Sequence, residues 1–114
     1  MTSRSSTTTK SRLKKARPDL PPVHPGEILF EDLMRPLSIS TNRLARDLRV
    51  PVTRIGDIVH GRRGISADTA LRLGRYFKTS PEFWQNLQSI YELNVARRAA
   101  GHLIERDVQP LEAA

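Results

Sequence analysis

The chain has 114 residues, of which 38% are hydrophobic and 5% aromatic, enough for one small domain with a compact core and a tail. Its formal net charge of +7 draws it towards polyanions, with ordinary solubility as the plainer alternative. It has no cysteine, which excludes disulfides and Cys-based metal or redox sites and fits a reducing cytoplasm; no apolar run approaches the roughly 18–20 residues that cross a bilayer.

Residues 1–22 read as a disordered basic arm, because too few apolar groups offset the entropy of ordering it. Arg4, Lys10, Arg12, Lys14, Lys15 and Arg17 face only Asp19, so the arm holds five of the seven net charges. Its composition mimics a transit peptide, but only Leu13 and Ala16 could build an apolar helix face, and no secretory h-region is present. From His24 onward, the punctuation predicts five helices and no strand. Pro25 suits a first helical residue and Glu27 the positive helix end; Ile28, Leu29, Leu33 and Leu37 form the apolar stripe, and Pro36 stops the helix near Arg35. Ser40 caps a second helix, Thr41 to Leu48, with Leu44, Ala45 and Leu48 facing inward. Pro51 opens a third, with Ile55, Ile58 and Val59 at helical spacing, ended by the turn Gly61-Arg62-Arg63-Gly64. Ser66 caps a fourth, carrying Ala70, Leu71, Leu73 and Phe77. Ser80-Pro81-Glu82 starts a fifth, with Phe83, Trp84, Leu87, Ile90 and Tyr91 on its apolar side, predicted to run to about Gly101. The expected organisation is an arm (1–22), a helical domain (23–102) and a polar C-terminal tail (103–114).

Two short helices joined by a tight turn and backed by further helices make a helix-turn-helix, whose second helix enters the DNA major groove by its N-terminal end. Val52, Thr53 and Arg54 would then meet base edges, with Asp57 one turn later. An Arg bonds guanine O6 and N7 together and a Thr or Val methyl meets the thymine methyl, so Arg54 is the first candidate for direct readout. Ser40, Thr41, Asn42 and Arg43 cluster at a helix N-terminus suited to phosphate, and Arg62 and Arg63 leave the third helix beside the backbone.

Each residue has a plainer reading. Ser40 can be a cap alone, Asp57 a group that orients Arg54 rather than touching DNA, and Arg62-Arg63 an ordinary solvated loop. His24 and His60 have no partners at metal-ligand spacing, and no cofactor is implied. The chain has no cysteine nucleophile, HExxH, Gly-rich phosphate loop or paired carboxylates with a supporting His, so catalysis is not expected. One helix-turn-helix reads few base pairs, so pairing of two copies is expected; the long fifth helix has apolar surface to spare, and Trp84, Leu87, Tyr91 and Val95 are the expected dimer contacts.

The ordered set His24-Pro25-Gly26-Glu27-Ile28-Leu29, Pro36-Leu37-Ser38-Ile39-Ser40, Leu44-Ala45, Val50-Pro51, Arg54-Ile55, Ile58-Val59, Gly61-Arg62-Arg63-Gly64-Ile65, Ala70-Leu71-Arg72-Leu73, Ser80-Pro81-Glu82-Phe83-Trp84 and Leu87-Gln88 resembles the HigA family of antitoxins over residues 23–96. The resemblance implies a lambda-repressor-like helix-turn-helix fold and a homodimer that binds operator DNA and represses its own operon. It further implies a neighbouring HigB-like ribonuclease toxin that the protein silences. A stand-alone regulator without a toxin is the alternative, and a protein-interaction module that has lost DNA binding is a further one. Three features depart from the family pattern: Arg49 stands where Gly is frequent, His60 where Asn is frequent, and the basic arm is long.

Overall fold

A computed structural model describes residues 21–112; most of the expected basic arm lies outside the described residues. The described residues form five helices and no strand. Helix α1 begins as an α-helical turn, Pro25–Ile28, and continues directly as a π-helical segment, Leu29–Met34. Then follow α2 (Thr41–Leu48), α3 (Val52–Val59), α4 (Ala67–Phe77) and α5 (Pro81–Asp107).

The helix starts follow their caps. Ser40, Ser66 and Ser80 each have extended backbone and accept a hydrogen bond from the N–H three residues on, satisfying a donor that the helix itself cannot. Pro51 is the residue before α3 rather than its first, and it offers no side-chain cap. His24 caps α1 in an unusual way, its Nδ1 accepting from the Gly26 N–H at 2.9 Å. Gly26 is required by a close approach: a methyl group there would collide with the carbonyl of Ile58, so α1 crosses the end of α3 backbone to backbone.

The core joins Ile28, Leu29 and Met34 of α1 to Leu44, Ala45 and Leu48 of α2, Ile55 and Ile58 of α3, Ala70 and Leu73 of α4, and Trp84 and Leu87 of α5. Three residues of the expected stripes are exposed outside it: Leu37, Leu71 and Ile90, the last lying beyond Leu87 where α5 has left the core. Leu37 is exposed because α1 widens into a π-helix: the Arg35 N–H reaches back five residues to the Phe30 carbonyl, which places Met34, not Leu33 or Leu37, on the face of Leu29. Leu71 is exposed because it falls between the inward-facing Ala70 and Leu73 without sharing their face. Helix α5 continues to Asp107, so residues 103–107 are helical and not part of a tail; at 27 residues it is about 40 Å long. Its first half packs on α4 and the core, and beyond Leu87 no residue of it is buried.

Candidate nucleic-acid interface

Helices α2 and α3 pack on one another through a tight turn, with Arg49 in the left-handed conformation at φ 62° and its N–H returned to the carbonyls of Ala45 and Arg46. Left-handed backbone at Arg49 ends α2 abruptly and lets α3 start at Val52, after only Val50 and Pro51. The head of α3 is open to solvent, with Pro51, Val52 and Thr53 all exposed and Val52 44% accessible despite its apolar side chain. Ser40 caps α2, its Oγ accepting from the Arg43 N–H at 3.1 Å, while Asn42 and Arg43 are exposed and Thr41 is half-buried. Arg43 also pairs with Asp47 one turn on, at 3.4 Å.

Arg54, expected at the base edges, has another occupation. Its side chain is 27% exposed and its Nη1 donates to Asp68 Oδ2 at 2.7 Å, bracing α3 against the first turn of α4. The same carboxylate oxygen accepts from Arg72 Nε at 2.8 Å, and Arg72 Nη1 donates to the Leu48 carbonyl at 2.9 Å. One carboxylate thus ties together α3, α4 and, through Arg72, the C-terminal end of α2. The hydrogen bonds from Arg72 and Arg54 hold the Asp68 carboxyl below its usual range. Nearby, Tyr76 donates to Asp47 at 2.6 Å, which lowers the Asp47 carboxyl and raises the Tyr76 hydroxyl.

The reading of Asp57 as the group that orients Arg54 is corrected by this arrangement. Asp57 Oδ1 accepts from Arg62 Nε at 3.2 Å and Nη2 at 3.1 Å, and its carbonyl accepts from the N–H groups of Arg62 and Arg63. Asp57 therefore shapes the turn that follows α3. In that turn Gly61 takes φ 76°, and Arg62 and Arg63 stand exposed. The His60 ring lies over its own helix, Nδ1 being 2.8 Å from the Gly56 carbonyl.

The expected dimer contacts divide. Trp84 has no exposed surface and Leu87 only 3%; both belong to the core of a single copy, with Trp84 Nε1 donating to Thr79 at 2.9 Å. Tyr91 is half-buried with its ring edge-on to His24 at 4.8 Å. Only Val95 of the four is exposed. Exposed apolar residues of α5 also include Leu93, Ala96, Leu103 and Ile104, which with the half-buried Ala100 follow an i, i+3, i+7, i+10, i+11 spacing that lines one face.

Sequence reasoning missed Asp68, Arg72 and Gln88. The Asp68–Arg72 pair was visible as an i, i+4 acid–base spacing; nothing local linked Asp68 to Arg54, fourteen residues away.

Among proteins of known structure, the antitoxin HigA of Pseudomonas aeruginosa, solved with the higBA promoter, is 52% identical and superposes with a TM-score of 0.78 over 80% of this chain and 99% of that one. An addiction module antidote protein of the HigA family from Coxiella burnetii is 47% identical with a TM-score of 0.77, over 81% of this chain and all of that one. Virulence-associated protein I of Dichelobacter nodosus is 46% identical over 80 residues, 70% of this chain and 74% of its own length. No protein-family model matches the chain.

Proposed function

The chain belongs to the HigA family of antitoxins, and on that footing we propose that it is a homodimeric, sequence-specific repressor of its own operon that also neutralises a HigB-like ribonuclease toxin in the cytoplasm. The observation that carries the DNA reading is the exposed head of α3, apolar Val52 beside Thr53, flanked by two sets of phosphate-binding chemistry. Val52 and Thr53 meet base edges, where their methyl groups suit thymine. The α2 N-terminus with Thr41, Asn42 and Arg43, and the turn with Arg62 and Arg63, hold the phosphates. Arg54 reaches a base only by sharing its guanidinium with Asp68, so its first role is to set the tilt of α3. Ser40 acts as a cap and Asp57 as the anchor of Arg62.

Pairing of two copies uses the distal face of α5, where Leu93, Leu103 and Ile104 are each about half exposed. The protein acts by binding and not by catalysis. Among the described residues no helix is long and apolar enough to cross a membrane.

Two paired assays in cells test this reading. A reporter fused to the DNA upstream of the gene is expected to be repressed when the chain is expressed. Growth arrest by the adjacent gene's product is expected to be relieved by co-expression of the chain. Repression without relief would mark a stand-alone regulator, and relief without repression a toxin-binding module that does not read DNA.

A further inference from the structure

Gln88 forms part of the sequence pattern, yet DNA binding through α2 and α3 gives it no role. The structure places it against the turn that bears Arg62 and Arg63. Its Oε1 accepts from the Ile65 N–H at 2.8 Å, across 23 residues of chain, and its Nε2 donates to Glu92 Oε2 at 2.9 Å. Ile65 is only 4% exposed, so its N–H depends on this acceptor. Gly64 packs directly beneath the amide: a Cβ built there would lie 2.7 Å from Gln88 Nε2 and 2.9 Å from Cδ. At the other end of the turn, the Asp57 carbonyl accepts from the N–H groups of Arg62 and Arg63. The turn is therefore held from α3 at its entry and from α5 at its exit.

We infer that Gln88 is a positioning residue for DNA binding: it fixes Gly64 and Ile65, and through them the height at which Arg62 and Arg63 meet the phosphates. This rests on the operator-binding reading above. It also makes the helix that pairs two copies a direct support of the phosphate-contacting turn. A displaced turn weakens a contact that carries no sequence information, so every DNA is affected alike.

The test is a binding titration of the full chain on operator and scrambled duplexes across a salt series. Gln88→Met keeps length and volume but removes the acceptor. It is expected to weaken binding to both duplexes by the same factor, about fivefold, and to lower the slope of log affinity against log salt by about one. The exchanged pair Q88E/E92Q restores an acceptor for the Ile65 N–H at constant net charge and is expected to recover the wild-type slope. Gly64→Ala, which pushes the flexible amide aside, reproduces the loss and decides the matter should Gln88→Met not fold. Wild-type affinity and slope in folded Gln88→Met or Gly64→Ala protein would overturn the inference, as would a loss confined to the operator. Wild-type protein that prefers neither duplex would instead overturn the operator reading itself.

Discussion

Asp68 shows how a single exposed carboxylate can brace the helix proposed to read DNA. It accepts from both Arg54 and Arg72, and it stands in the first turn of α4, where negative charge is favoured. His24 works differently. Its Nδ1 accepts from a backbone N–H, so the neutral ring carries its proton on Nε2. Burial lowers its pKa below the ordinary 6.5, against an opposing pull from Glu27. Below pH 6.5 the unfolded chain takes up a proton that the folded chain resists. The stability contributed by neutral His24 is thus present above pH 6.5 and is lost as pH falls through the folded value. The melting temperature is expected to fall between pH 7.5 and pH 5.5, and to fall less in His24→Asn, where an amide can still cap α1. An equal fall in both proteins would count against this role. Residue chemistry was only partly legible in the sequence. Caps such as Ser40, Ser66 and Ser80 act within three residues and could be read directly. The Arg54–Asp68 and Ile65–Gln88 bonds join residues 14 and 23 apart, and no local pattern records them.

Among the elements, the α2–α3 turn carries a cost that the sequence already announced. Arg49 is left-handed, a conformation that glycine adopts freely and a side chain resists. Its N–H returns to α2 through backbone alone, so Arg49→Gly keeps the turn and is expected to raise stability by about 1 kcal/mol, measured by denaturant titration. Nothing in the structure explains why Arg is retained. In α1 the apolar spacing was legible but its period was not. The stretch reads as an α-helix, and only the i to i+5 hydrogen bond reveals why Met34 replaces Leu37 in the core. In α5 the apolar residues were visible, while the surfaces that cover them were not. Trp84 and Leu87 are taken up within one copy, because α4 and the core reach only the first part of that helix. Trp84→Ala is therefore expected to cost about 3–5 kcal/mol of folding stability, seen as a large fall in melting temperature. A folded Trp84→Ala protein altered only in its association state would contradict its place in the core.

For the whole molecule, helix number, helix order and the helix-turn-helix were all legible, because caps, breakers and apolar spacing agree at nearly every boundary. The end of α5 was not, since its distal half has no core of its own to signal where helix gives way to tail. That half carries the apolar face proposed above for the association of two copies. Leu93→Asp, at an exposed position, is expected to convert dimer to monomer in sedimentation or light scattering with little loss of helix content; an unchanged dimer would move the interface elsewhere. A monomer would also bind operator weakly, since it reads one half-site. The central claim is that the exposed head of α3 reads sequence while the basic groups around it hold phosphate. The direct measurement is fluorescence anisotropy on DNA from upstream of the gene against a scrambled duplex at two salt concentrations, comparing wild type with V52A/T53A. Wild type should prefer its own DNA, and the variant should lose that preference by a factor of about ten or more while keeping salt-dependent binding to both. Equal wild-type binding to both duplexes, abolished together as salt rises, would contradict the account.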